Sequence, residues 1–152
     1  LIVSNPDSGL GEVIIYERDK HHLFFAQTDP IIHRAIGVAY IVDGQYSHTE
    51  GTLDCLSSQD MQEFATVIKL CRIEPSKCPY IRVPETDTYK FLITKGDNNM
   101  RSDQCSSPQI AYPINEAQIL GRGWLRLPYI GYLKILLNFL LLPFRLALDV
   151  II

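Results

Sequence analysis

Residues 31–44 read IIHRAIGVAYIVDG, an apolar run rich in β-branched residues that ends in Asp43-Gly44. Such a run is typical of a buried strand. An Asp-Gly pair directly after it is a strong signal for a two-residue hairpin turn. This stretch therefore predicts a core strand that leads into a hairpin, and His33 lies inside it.

Three further runs have the apolar, β-branched or aromatic composition that is typical of strands, and each is bounded by turn-forming residues. They are Glu12–Tyr16 after Gly9 and Gly11, Tyr89–Ile93 before the GDNN turn at 96–99, and 119–127 with a bend or bulge at Gly121 and Gly123. The sequence thus predicts a mainly β fold, either a small bent sheet or a partly closed β-barrel.

A different pattern predicts one helix over about 58–72. Ser57 has the position of an N-cap, and Asp60 falls in the first turn. Apolar residues then recur every three or four positions, and Pro75 and Pro79 stop the helix. The predicted buried face consists of Met61, Phe64, Ala65, Ile68 and Cys71.

The chain contains four cysteines and no Cys-x-x-Cys pair, which argues against a zinc ribbon. They are Cys55, Cys71, Cys78 and Cys105. In an oxidising compartment they can form two disulfides in any of three pairings, and otherwise they are ordinary buried thiols. A bond between Cys71 and Cys78 would tie down the inserted helix.

The segment 133–152 is apolar at 15 of its 20 positions. If it is helical, its polar side chains fall within about 60° of one another. They are Lys134, Asn138, Arg145 and Asp149. We expect a hydrophobic helix after Pro128 that spans or lies on a membrane, with a narrow polar stripe. The alternative is a buried helix in a larger soluble assembly.

These patterns predict a β-rich domain over 1–132, with an insertion at 44–88 that carries the helix, and a membrane-associated tail over 133–152. An apolar fraction of 47% is sufficient for a packed core. The net charge of −3 provides no basic field that would attract nucleic acid.

His33 is the first candidate for chemistry, although a histidine in an apolar strand is usually a core residue. A catalytic histidine needs a nucleophile to deprotonate and a carboxylate to fix its tautomer. Two carboxylates, Asp97 and Asp103, lie in TKGDNNMRSD, residues 94–103. The competing interpretation makes Asp97 a turn former and Asp103 a solvated loop charge.

The motifs at His33 and at Thr94–Asn99 resemble the histidine and aspartate boxes of the archaeal and endoplasmic-reticulum signal peptidases. Asp103 follows Asp97 by six residues, as the second aspartate does in that family. Three further stretches are similar to the strand and closing region of that family; they are Gly11–Tyr16, Leu120–Gly123 and Leu127–Tyr132. The resemblance covers residues 9–43 and 89 to about 140.

This resemblance implies a membrane-bound serine endopeptidase with a Ser-His-Asp mechanism. His33 would act as the base, Asp103 would hold its other ring nitrogen, and Asp97 would be a supporting carboxylate that organises the turn or the histidine. Acyl transfer of this kind needs no metal or organic cofactor. The implied partners are signal peptides of preproteins, membrane lipid and other subunits of a signal peptidase complex. The implied location is the lumenal or extracytoplasmic side of the endoplasmic reticulum or archaeal plasma membrane.

The chain departs from the family at the serine. The family's Ser-Met-Glu-Pro box has no match, because Ser4 and Ser8 have different neighbours. We expect the serine and an apolar anchor to lie ahead of Leu1, so that this chain alone is inactive. One alternative is a non-catalytic, membrane-tethered relative that acts as a binding subunit. Another is an unrelated extracytoplasmic β domain stapled by disulfides.

Overall fold

A computed structural model of the chain describes residues 2–3, 8–20 and 29–123. Its strands are β1 (Ile2–Val3), β2 (Val13–Tyr16), β3 (Ile31–Val42), β4 (Gln45–Gly51), β5 (Tyr89–Lys95), β6 (Ile114–Asn115) and β7 (Ile119–Gly123). Helix α1 is Ser58–Ile73, and two 3₁₀ turns are Pro75–Lys77 and Glu116–Gln118. The helix predicted after Pro128, the tail 133–152 and the last part of the strand predicted at 119–127 lie outside these residues.

The strands form an antiparallel sheet in the order β1-β7-β2-β3-β5-β6, and β4 also pairs with β3. The mainly β prediction is confirmed, and the sheet is open rather than closed into a barrel. Across the described ranges, no helix has both the length and the apolar character that a membrane crossing requires.

Strand β3 is the centre of the sheet. It pairs with β2 along its first residues, with β4 along its second half, and with β5 on its other edge. The predicted hairpin at Asp43-Gly44 is present, and both residues have positive φ, 51° and 72°. Positive φ at both central positions is what a hairpin turn of the favoured type requires, and Asp-Gly supplies it at little cost.

A β-bulge at Ile36 divides β3 into two halves with opposite side-chain phase. Ala35 pairs with Thr94 and Gly37 pairs with Ile93, so Ile36 is the extra residue. Before the bulge, odd-numbered residues such as Ala35 belong to one core cluster; after it, odd-numbered Ala39 belongs to the other. The bulge therefore lets one strand serve both cores, and His33 falls on the face of the smaller one.

Helix α1 covers the larger core cluster. Ser57 and Asp60 form the predicted cap reciprocally, since Ser57 Oγ accepts from Asp60 N at 3.2 Å and Asp60 Oδ2 accepts from Ser57 N at 2.6 Å. Four of the five predicted apolar positions are buried, and Phe64 is half-buried against the same cluster. The helix and its buried face were thus predicted correctly from the sequence.

The four cysteines form the disulfides Cys71–Cys78 and Cys55–Cys105. The first ties the end of α1 to the 3₁₀ turn that follows it. The second joins the segment before α1 to the loop after β5, across 50 residues of sequence.

Asp19 is a buried carboxylate that follows β2 and binds the segments on both sides of β6. Its Oδ2 accepts from Tyr112 N at 2.7 Å and its Oδ1 accepts from Gln118 Nε2 at 2.8 Å. Burial raises the pKa of Asp19 to about 6, although these two hydrogen bonds act in the opposite direction.

We predict that Asp19 makes the free energy of unfolding fall as the pH rises. A carboxyl whose pKa is raised in the folded state stabilises that state below its unfolded pKa of about 3.9, and this contribution is lost as the pH passes about 6. The full change is about 3 kcal/mol, at about 1.36 kcal/mol for each pKa unit. Urea unfolding across this pH range should show a steeper profile for the parent than for Asp19→Asn. Asp29→Asn is the control, since Asp29 is exposed; parallel parent and Asp19→Asn profiles would contradict the prediction.

Candidate active site around His33 and Asp103

The structure brings His33 and Asp103 into contact, although 70 residues separate them in sequence. His33 Nδ1 lies 2.6 Å from Asp103 Oδ2. The Asp103 side chain is 0% exposed and that of His33 is 23% exposed. The paired sequence boxes predicted this contact. The burial of Asp103 contradicts the competing interpretation, in which Asp103 is a solvated loop charge.

Two strands on either side of β3 complete the surroundings of Asp103. Its Oδ2 also accepts from Thr94 Oγ1 of β5 at 2.6 Å and from Tyr16 OH of β2 at 2.9 Å. Burial, followed by the charge of Asp103, raises the pKa of Tyr16 well above its ordinary value, so the phenol keeps its proton and remains a donor. Three donors that converge on one oxygen hold the carboxylate in a single orientation.

The backbone of the Asp103 loop is fixed from β5 and from the segment that follows the loop. Asp103 N donates to Thr94 O at 2.8 Å, and Ile110 N donates to Asp103 O at 2.9 Å. Thr94 therefore holds Asp103 twice, through its own carbonyl and through its hydroxyl.

This arrangement assigns the two ring nitrogens of His33 different roles. Because Asp103 accepts at Nδ1, that nitrogen carries the proton of the neutral ring, and Nε2 is left as the acceptor. Nε2 faces Gly96, where an added Cβ would lie 3.0 Å from Nε2 and 3.0 Å from Asn99 Nδ2. The absence of a side chain at Gly96 therefore leaves room next to the nitrogen that can take a proton.

An open cleft of about 310 Å³ adjoins this nitrogen. It is lined by Val13, Ile32, His33, Arg34, Gly96, Asp97, Asn98 and Asn99. A reacting group could thus approach His33 from solvent on the side opposite to Asp103.

Asp97 has a different partner from Asp103. Its side chain is 62% exposed, and its two oxygens accept from Arg34 Nε at 2.8 Å and Arg34 Nη2 at 3.0 Å. Arg34 Nη1 also donates to Gly11 O at 2.8 Å. Arg34 therefore links the turn after β5 to the start of β2, and Asp103 is the carboxylate that hydrogen-bonds the histidine.

Tyr16 and Thr94 are site residues that the sequence reasoning did not single out. Both lie in the motifs that carried the resemblance, at the end of GEVIIY and the start of TKGDNN. A hydroxyl at the buried end of a strand was the available signal, because such a group needs a polar partner.

No hydroxyl in the described ranges hydrogen-bonds His33 Nε2. Ser8 is fully buried, and Ser4 lies outside those ranges. The same ranges contain no group of three or more His, Cys, Asp or Glu side chains that could hold a metal ion.

Comparisons of the chain with protein-family models, curated proteins and solved structures find no match. Its function is therefore inferred from the residues of the site and from the motif resemblance.

Proposed function

We propose that this chain is the catalytic domain of a membrane-bound serine endopeptidase that cleaves signal peptides from secretory preproteins. The observation that carries the proposal is the His33 Nδ1–Asp103 Oδ2 hydrogen bond of 2.6 Å, with Nε2 beside an open cleft. A histidine held in one tautomer by a buried carboxylate supplies two of the three residues of a Ser-His-Asp triad.

In the proposed mechanism the nucleophilic serine lies ahead of Leu1. His33 Nε2 takes the serine proton as the hydroxyl attacks the scissile carbonyl, and then delivers that proton to the leaving amine. Asp103 stabilises the imidazolium that forms between these steps. Its burial makes this interaction stronger than it would be in water.

Tyr16 and Thr94 act on Asp103 in this mechanism. By donating to the oxygen that His33 contacts, they prevent the carboxylate from rotating away from the ring. Asp97 organises the turn at 96–99 through Arg34, and that turn forms one wall of the cleft.

The substrate is proposed to be an extended peptide with small residues before the cleaved bond. Strand β5 pairs with β3 only from Arg34 onward, so residues 31–33 lack a β5 partner on the edge beside the cleft. Main-chain pairing at a strand edge recognises an extended backbone with little dependence on its side chains. The domain would work on the lumenal or extracytoplasmic side of the membrane, with lipid and other complex subunits as neighbours.

A second candidate function is a membrane-tethered binding subunit without catalysis. It is favoured by one observation, that no described hydroxyl reaches His33 Nε2. In that case the cleft would hold the peptide without cutting it.

The test is to extend the chain at its N-terminus with the apolar anchor and Ser-Met-Glu-Pro box of an archaeal signal peptidase. We expect the extended protein to cleave a signal-peptide substrate in detergent. Residues 1–152 without the extension should be inactive, because a missing nucleophile removes nearly all of the rate. An extended protein with alanine in place of the box serine is the matched control. Cleavage by the unextended chain would refute the upstream serine, and a folded but inactive extended protein would favour the binding subunit.

A further inference from the structure

The loop that carries Asp103 is held by the inserted segment on both sides of that residue. On one side, Asp54 Oδ2 accepts from Ser102 N and from Ser102 Oγ, each at 2.9 Å. On the other side, Cys55 forms its disulfide with Cys105, and Cys55 N donates to Cys105 Sγ at 3.1 Å. Asp54 and Cys55, which are adjacent in the insertion, therefore bind residues on both sides of Asp103, at Ser102 and Cys105.

The other end of this segment is attached to β3, the strand that carries His33. Thr52 N donates to Ile36 O at 3.1 Å, at the bulge. Thr52 Oγ1 accepts from Asp54 N at 2.9 Å. Residues 52–55 thus form a short bridge between the strand of the histidine and the loop of the carboxylate.

The backbone of the bridge is held in a strained conformation. Asp54 has φ of 57°, in the left-handed region that non-glycine residues seldom adopt. Such a conformation persists where surrounding contacts fix it. Hydrogen bonds from Ser102, and then the charges of Arg101 and Lys95, lower the pKa of Asp54, so its carboxylate is ionised at neutral pH.

We propose that Asp54 and the Cys55–Cys105 disulfide are positioning residues for the His33–Asp103 pair, and we call them the clamp. Their catalytic meaning rests on the proposed endopeptidase function. The hydrogen bond to Thr94 O holds Asp103 itself. The clamp adds contacts at Ser102, immediately before Asp103, and at Cys105, two residues after it. A displacement of the loop by about 1 Å would break the contact with His33, and misplacement of that size can cost about 10²-fold in rate.

The chain offers a matched control for each half of the clamp. Asp60 Oδ2 accepts from Ser57 N and Ser57 Oγ, each at 2.6 Å, so it repeats the two-bond geometry of Asp54 at the start of α1. The Cys71–Cys78 disulfide lies at the other end of α1. In the described part of the chain, neither control forms a hydrogen bond or a disulfide with residues 102–105. Removing either one should destabilise the same insertion.

The experiment reads the tautomer of His33 from the ¹⁵N resonances of its ring in the neutral state. The parent chain is expected to show one tautomer, protonated at Nδ1. Asp54→Ala and the double variant Cys55→Ser/Cys105→Ser should lose this single tautomer, whereas Asp60→Ala and Cys71→Ser/Cys78→Ser should keep it. Asp54→Asn should keep the single tautomer in part, unlike Asp54→Ala, because the amide oxygen of asparagine can still accept hydrogen bonds from Ser102.

The extended protein provides the catalytic reading of the same variants. Loss of the clamp should lower kcat by about 10²-fold with little change in KM. Clamp variants that keep the parent tautomer, or controls that lose it equally, would overturn the clamp and leave the proposed function standing. A parent chain without the Nδ1-protonated tautomer would overturn the His33–Asp103 pair, and with it both proposals.

Discussion

His33→Ala in the extended protein is expected to lower kcat by about 10⁶-fold, the scale of loss when the histidine of a serine–histidine–aspartate triad is removed. The serine would then have no base, and the leaving amine would have no acid. Asp103, Tyr16 and Thr94 cannot substitute, because their hydrogen bonds converge on a buried oxygen behind the ring.

The measurement is the initial rate of signal-peptide cleavage, with circular dichroism to show that the variant is folded. The fold should persist, since the His33 side chain is already partly open to solvent. His48→Ala is the matched control, because His48 is an exposed β-strand histidine that stacks on Tyr40. A His33→Ala variant that cleaves at the parent rate would make His33 a structural residue and end the triad interpretation.

Among Gly9, Gly37, Gly96 and Gly123, Gly37 is expected to be the position where an added methyl group, as in Gly37→Ala, destabilises the fold most. A Cβ at Gly37 would lie 1.9 Å from Thr52 O and 2.8 Å from Thr52 C. Both are backbone atoms, so relief requires the chain itself to move, and we expect a loss of at least about 3 kcal/mol in the free energy of unfolding.

The measurement is urea unfolding of the parent and of Gly37→Ala. Gly123→Ala is the control. Gly123 lies in β7 of the same sheet, and a Cβ there would make only ordinary contacts with Val13, at 3.5 Å and beyond. Since Thr52 begins the bridge to Asp54, Gly37→Ala should also disturb the His33 tautomer. Equal stability of the two alanine variants would show that the close approach of Thr52 is not a constraint on the fold.

The strands with apolar, β-branched residues were predictable because burial determines their composition. Strand β4 was not predicted, since its sequence QYSHTEG is polar and its place in the sheet follows only from the hairpin at Asp43-Gly44. Strand β6 has two residues, too few for a pattern. Helix α1 was predicted because its cap and its apolar spacing are both local signals.

The candidate site was predictable only in part. The contact between His33 and Asp103 was expected from the spacing of family motifs, and no local physical signal would have selected Asp103 over Asp97. The roles of Tyr16 and Thr94 depend on which strands are neighbours, which the sequence alone does not state. The clamp joins residues about 50 positions apart, and the number of cysteines leaves three pairings open.

The bulge at Ile36 also divides β3 into two segments in which substitutions should have different consequences. Substitutions before the bulge affect His33 and the smaller core cluster. Substitutions after the bulge affect the larger core cluster, which α1 covers. A replacement of α1 would therefore have to retain residues 52–55, which connect the bulge at Ile36 to the loop of Asp103.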